Sequence, residues 1–138
     1  MWLIYGLGSA FFAGVTSILA KCGIRKTDSN VATAVRTIVV ILFSWLMVFL
    51  TGSESEIFSI DKGTMCFLIL SGAATGASWL CYYRALQLGP ASAVAPVDKL
   101  SILVTTAFSY LVFGERLSGR SAAGLALLTA GTVLMAVV

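Results

Sequence analysis

The sequence predicts an all-α integral membrane protein with five transmembrane helices. Of its 138 residues, 59% are hydrophobic and only 11% are charged, and the mean hydropathy is +0.98. A soluble domain carries about a quarter of its residues as charged side chains. Five apolar segments approach the length of about 20 residues that a helix needs to cross a bilayer. The alternating pattern typical of membrane β-barrels does not occur in the sequence.

The five helices are separated by polar or turn-forming stretches. Their approximate bounds are 2–20, 32–51, 64–86, 93–113 and 119–137. The stretches between them are KCGIRKTDSN, TGSESEIFSIDKG, QLGPAS and GERLSG. Gly, Pro, Ser and Asp favour turns there for backbone reasons. We therefore treat 1–138 as one five-helix domain, and the first helix as retained, because it lacks the basic start of a signal peptide.

The composition excludes several classes of function. The chain has no histidine, so a zinc site and histidine-based acid–base catalysis have little support. Its three cysteines show no CxxC spacing and are read as apolar packing side chains. The net charge of +3 comes from scattered basic residues, without the cluster that nucleic-acid binding requires. We expect no enzymatic activity, no metal, no cofactor and no nucleic-acid partner.

The loop charges give a weak prediction of topology. Five helices place the two termini on opposite sides of the membrane. The first and third loops, with the adjoining helix ends, carry four Lys or Arg residues, and the second and fourth, counted in the same way, carry three. Counting Arg36 and Lys99 with the former makes the ratio six to three. This favours an N-terminus outside the cytoplasm, but it also fits dual topology, in which copies insert both ways.

Rows of small residues predict close helix packing. These rows are Gly6, Ala10 and Gly14 in the first helix, Gly72 and Gly76 in the third, and Ala122, Ala126 and Ala130 in the fifth. Small side chains let helix backbones approach closely within a membrane. We expect the alanine row to contact a second copy, with packing inside one chain as the alternative.

The small row of the third helix continues into Trp79 and Tyr83, which share its face at steps of three and four residues. One interpretation places these rings in the aromatic belt at the membrane surface. The other makes them one wall of a binding cavity suited to cations or flat apolar groups.

The fourth helix carries a polar stripe that begins at Asp98 and continues through Ser101, Thr105 and Ser109. The stripe follows helical spacing. Hydroxyl groups gain nothing from contact with lipid, so the stripe is expected to face other helices or a water-filled cavity.

Two accounts explain the charges in APVDKLSILV at the start of this helix. In one, Pro96 occupies the first turn, Asp98 lies near the positive end of the helix dipole, and Lys99 reaches the headgroups. In the other, Pro96 marks an irregular helix start that offers Asp98 and Lys99 to a polar substrate or a proton. Arg36, the other charge inside a helix, either reaches the headgroups or pairs with Asp98.

Ordered motifs in the C-terminal half carry a family resemblance. YYRAL ends one helix, ASAVAPV opens the next, FGERLS follows its far end, and AGTVLM lies in the last. Together they resemble the EamA family of the drug/metabolite transporter superfamily. The whole chain matches the length of one EamA unit. Many members look like two fused units, so the resemblance implies one half of a ten-helix inverted-repeat architecture.

The resemblance implies a secondary active transporter, expected to be an exporter, of a small polar or amphipathic metabolite. It would work by alternating access as an antiparallel homodimer, with a heterodimer as the alternative. Pro96 and Glu115 fall on recurring family positions, and Glu115 is read as a structural residue. The first helix lacks the acidic residue of the related small multidrug resistance proteins, so multidrug antiport by their mechanism is not expected.

We combine these observations into one hypothesis about the site. The expected substrate-binding residues are Asp98, Lys99, Ser101, Thr105, Trp79, Tyr83 and Arg36. Asp98 is the candidate for ion coupling. The expected partners are a small-molecule substrate and membrane lipids, and the expected location is the plasma (cytoplasmic) membrane of a bacterium, as a multi-pass protein. The alternatives are a flippase for a lipid or lipid-linked headgroup and a non-transporting membrane subunit of a larger assembly.

Overall fold

The computed structural model describes residues 1–137, and the fold is all-α. The helices are α1 (Trp2–Gly23), α2 (Ser29–Thr51), α3 (Lys62–Leu88), α4 (Ala91–Asp98), α5 (Ser101–Phe113) and α6 (Gly119–Ala136). A short 3₁₀ helix, Glu54–Ser59, lies between α2 and α3. Together α4 and α5 make one span, so the described chain has five segments long and apolar enough to cross a membrane. This confirms the predicted fold class.

The residues that cap α2 explain why it begins earlier than expected. The Asp28 carboxylate accepts hydrogen bonds from the backbone N–H groups of Asn30 (2.8 Å) and Val31 (3.4 Å). Such an N-cap satisfies donors that have no partner within the helix. The stretch DSN, expected to be loop, therefore holds the start of α2. At its other end Gly52 adopts φ 67°, the left-handed conformation typical of a glycine that ends a helix.

The chain forms two compact units. One is Ala20–Gln87, and the other joins Met1–Leu19 with the chain from Leu88 onward. The buried side chains of the first unit are Ala20, Ile24, Ser29, Thr33, Tyr83 and Leu86. They place its core at the first half of α2 and the last part of α3. In the second unit α4 packs against α6, and Ser17 and Thr132 are buried.

Most large apolar side chains of the helices are exposed, which is expected where lipid replaces water. Examples from different spans are Leu3, Leu42, Phe67, Leu111 and Leu127. The three cysteines are also exposed and unpaired, so their expected role in packing is wrong for the single chain. An apolar thiol needs no burial when its surroundings are hydrocarbon.

The glycine rows lie open in the single chain. A Cβ added at Gly6, Gly14, Gly72 or Gly76 would meet nothing within 4 Å among the described residues. The alanine row of α6 is exposed as well, beside the face of Leu125, Thr129 and Thr132 that is partly or fully covered.

Candidate functional site: an arginine stacked on two rings and a charged break in the fourth span

Arg36 of α2 is held against two aromatic side chains of α3. Its guanidinium carbon lies 4.2 Å from the centroid of the Trp79 ring and 5.5 Å from that of Tyr83. Both distances are within the range of a cation–π interaction, which is strongest for Trp. Arg36 and Trp79 are half-buried, whereas Tyr83 is buried. The structure thus brings three predicted site residues together in the unit Ala20–Gln87.

The depth of Arg36 in its span differs from the sequence-based expectation. Because α2 starts at Ser29 rather than near residue 32, Arg36 lies seven residues from the helix start. This corresponds to about 10 Å along the axis at 1.5 Å per residue. In the structure, this charge lies against the Trp79 and Tyr83 rings.

The hydroxyl groups around Arg36 are already engaged. Thr33 Oγ1 donates to the carbonyl of Ser29 at 2.8 Å, and Thr37 Oγ1 donates to the carbonyl of Thr33 at 2.7 Å. These bonds let a polar helix face lie in an apolar environment without unsatisfied groups. Arg36 is therefore the group on this face with hydrogen-bond donors to offer.

Polar contacts tie the end of α3 to the last turn of α1 and to the loop before α2. Lys21 Nζ donates to the carbonyl of Leu86, where a cation suits the carbonyl end of a helix. Gln87 Nε2 donates to the carbonyl of Thr27 at 3.2 Å, and Arg84 donates to Gln87 Oε1 at 2.7 Å. These contacts, which the sequence analysis missed, hold α3 in register with α2. No spacing rule predicts such side chain-to-backbone bonds across 60 residues or more.

An open groove of about 700 Å³ lies beside these contacts. Asp28, Ser29, Asn30, Leu80, Cys81 and Arg84 line it. Asp28, Ser29 and Asn30 come from the start of α2, and Leu80, Cys81 and Arg84 come from α3. None of these six is among the predicted site residues, and the start of α2 was expected to be loop.

The fourth span is interrupted at its charged pair. It begins at Ala91, directly after Pro90, and α4 ends at Asp98. The N–H groups of Lys99 and Leu100 then donate to the carbonyls of Pro96 and Val97, both at 3.0 Å. These bonds to the third residue back form a tightened turn before α5. Within an α-helix such a turn often marks a hinge.

The expected position of Pro96 is therefore wrong. The helix starts two residues earlier than the expected residue 93, and Pro96 is the sixth residue of α4 rather than part of its first turn. A proline inside a helix has no N–H for the carbonyl four residues back, which weakens the helix there. The irregularity follows Pro96 and lies within the span. Asp98 is seven residues from Ala91, about 10 Å at 1.5 Å per residue.

Asp98 and Lys99 form an ion pair with 3.5 Å between Lys99 Nζ and Asp98 Oδ2. Adjacent residues of a helix point about 100° apart, so their spacing alone does not predict this contact. The tightened turn and the length of the lysine side chain bring them together. Both remain accessible, with 60% of the Lys99 side chain and 38% of the Asp98 side chain exposed.

The polar stripe of α5 lies on the accessible surface of the single chain. Ser101 and Thr105 are exposed, and Ser109 is half-buried. The expectation that this stripe faces other helices or a water-filled cavity stays a prediction. The stripe is left open for a second copy, a solute or water.

Comparisons with known proteins identify the family. The model of the EamA-like transporter family matches residues 1–137. A Sinorhizobium protein named "uncharacterized transporter in cobO 3′ region" is 44% identical over 99% of this chain and 96% of its own length. An uncharacterized protein of Methanocaldococcus jannaschii is 26% identical over 98% of this chain and 96% of its own length. No solved structure matches the chain significantly. With five membrane-spanning helices and a family match along almost its whole described length, the chain belongs to the EamA-like transporter family.

Proposed function

We propose that the protein is a secondary active transporter that exports a small polar or amphipathic metabolite by alternating access. It would act as an antiparallel homodimer in the plasma membrane of a bacterium. Family membership supports transport across a membrane, and the Sinorhizobium relative supports a bacterial setting. The family and the relative's name both favour transport over catalysis as the activity.

The tightened turn inside the fourth span is the observation that carries this proposal. A charged side chain costs about 2.5–3.5 kcal/mol at the bilayer centre on insertion scales, and charged residues within spans usually serve a function. Transporters often place their sites at interrupted helices. Here the interruption and the Asp98–Lys99 ion pair coincide, with exposed hydroxyls following on α5.

The ion pair offers a simple coupling step. When Asp98 binds a proton, its carboxyl loses the negative charge that attracts Lys99. The ammonium is then released, and the turn between α4 and α5 loses one of its contacts. A solute or proton at Asp98 would in this way bias the hinge towards one side of the membrane.

The homodimer completes the architecture. Two oppositely inserted copies of the five-span chain would form an inverted pair, the arrangement on which alternating access commonly depends. The Sinorhizobium relative also has about the length of one five-helix unit, because the match covers 96% of it. The open glycine rows and the exposed alanine row supply surfaces that a second copy could cover.

Flux through purified protein tests the proposal. The protein is reconstituted into vesicles that contain a pH-sensitive dye, and alanine, benzoate and tetraphenylphosphonium are added in turn. We expect solute-dependent proton flux with the wild type and none with Asp98→Asn. Scrambling of fluorescent phosphatidylglycerol without proton flux would favour the flippase instead. If neither proton flux nor lipid scrambling is detected, the non-transporting subunit is favoured.

A further inference from the structure

We infer that the Arg36–Trp79 pair binds the carboxylate of a singly charged solute that also carries an apolar group. This inference names a substrate class and rests on the proposed transport function. It starts from an imbalance of charge within the membrane-spanning segments and from the geometry around Arg36.

The spans contain one acidic residue, Asp98, and it already pairs with Lys99. The remaining basic residues of the spans, apart from Arg36, lie within about a turn of a helix end, where long side chains reach the headgroups. Arg36 lies deeper, and neither α2 nor α3 contains an acidic residue. Within the described unit Ala20–Gln87, its recorded partners are two aromatic rings.

A second copy of the chain does not remove this imbalance. Each copy brings one Asp98, one Lys99 and one Arg36, so a dimer has two carboxylates for four cations away from the span ends. Pairing Arg36 with Asp98 of another copy would only transfer the deficit to Lys99. A bound anion is the partner that neutralises Arg36 without releasing another charge.

The geometry prepares Arg36 for such an anion. Arg36 makes a cation–π contact with the Trp79 ring at 4.2 Å, and its guanidinium carries five N–H donors, more than one ring can engage. Those donors match a carboxylate in a bidentate arrangement. Thr33 and Thr37 do not compete with Arg36 for the anion, because their hydroxyls donate to carbonyls of α2.

Charge and surroundings select the type of anion. One guanidinium neutralises one negative charge, which favours a carboxylate over a doubly charged phosphate. The Trp79 ring beside Arg36 favours a solute whose carboxylate is attached to an aromatic or aliphatic body.

Trp79 can report binding directly. Trp2 and Trp45 are exposed and can be replaced by Phe, which leaves Trp79 as the fluorophore in phosphatidylcholine nanodiscs. Benzoate is the probe, with benzamide as its neutral and benzylammonium as its cationic counterpart. We expect a saturable change in Trp79 fluorescence with benzoate and not with the other two probes. Arg36→Gln should abolish this change. Arg36→Lys should weaken benzoate binding, because lysine keeps the charge but not the planar donors.

Arg116→Gln is the matched control, because it removes one positive charge from the loop before α6 and should leave benzoate binding unchanged. Three results would overturn the inference. They are binding of benzylammonium as tightly as benzoate, no response of Trp79 fluorescence to benzoate, and unchanged benzoate binding in Arg36→Gln. A response to phosphatidylglycerol in the nanodisc but not to benzoate would also overturn it, in favour of a lipid headgroup.

The outcome is separable from that of the proposed function. Benzoate binding without flux of any tested solute would uphold the anion site and contradict transport. Flux of tetraphenylphosphonium without benzoate binding would uphold transport and contradict the anion site.

Discussion

Lys99 Nζ lies 3.5 Å from Asp98 Oδ2 at the tightened turn that joins α4 to α5. The pair joins adjacent residues, so its formation depends on the local backbone and not on distant packing. A change of protonation at Asp98 would therefore act directly on the turn.

Replacing Asp98 by Asn should abolish proton-coupled flux while leaving the dimer intact. The amide keeps the size of the side chain but can neither bind the coupling proton nor attract Lys99. Flux into dye-loaded vesicles and size-exclusion chromatography measure the two properties. Glu115→Gln is the matched control, since this exposed carboxylate lies in the loop after α5. Wild-type flux in Asp98→Asn would remove Asp98 from the mechanism.

Replacing Pro96 by Ala should stabilise the fourth span and slow transport. Alanine restores an N–H for the carbonyl four residues back, and the propensity difference between the two residues is as large as about 3 kcal/mol inside a helix. We expect a higher Tm and a lower turnover rate, because the hinge becomes stiffer. Pro90→Ala, at the residue before α4, should change neither. A stabilised variant with an unaltered turnover rate would contradict the hinge.

The loop before α3 should respond to acid through Asp61. The hydroxyl and then the N–H of Thr64 donate to this carboxylate and hold the pKa of Asp61 below its ordinary value of 3.8. Because the pKa is lowered in the folded state, this cap is fully formed above about pH 3.8 and is lost as the pH falls through the lowered pKa.

Thr64→Val should raise the pKa of Asp61 towards its ordinary value, since it removes the largest cause of the shift. Carboxyl ¹³C chemical shifts measured across the acid range report this pKa. Ser59→Ala is the control, because Ser59 donates to the carbonyl of Glu56 and not to Asp61. An unchanged Asp61 titration in Thr64→Val would show that Thr64 does not set it.

A bulky side chain in the alanine row of α6 should weaken self-association. Ala126 is exposed in the single chain, and Phe there would separate helix backbones that small residues bring together. We expect less energy transfer between labelled copies in vesicles. Leu128→Phe, about 200° away around the helix at 3.6 residues per turn, is the control. Equal energy transfer in both variants would place the dimer contact elsewhere.

The sequence predicted the five spans well because each is a long apolar run, and such runs need no tertiary information. It failed at two helix starts. Asp28 was read as part of a loop although it is an N-cap residue. The fourth span was expected to begin near residue 93, which put Pro96 at its start, although the helix already begins after Pro90. Both errors concern short polar stretches where a cap and a turn use the same residue types.

The candidate site was predictable in its residues and not in its contacts. Arg36 and Trp79 both stood out, one as an intramembrane charge and the other as a ring on a small-residue face. Helical spacing orders side chains around one helix, but it does not say which face of a second helix they meet. The stacking of Arg36 on Trp79 and the bond from Lys21 to Leu86 required the structure.

The orientation of the chain in the membrane tests the antiparallel homodimer most directly. Phe58, exposed in the second loop, is replaced by Cys in a variant whose Cys22, Cys66 and Cys81 are changed to Ser. Intact cells are labelled with a membrane-impermeant thiol reagent before and after lysis, with Asn30→Cys at the opposite membrane side as the reciprocal control. The account predicts that about half of the copies react before lysis and the rest only afterwards, for either position. Complete labelling at one position and none at the other would show a single orientation and contradict the antiparallel homodimer.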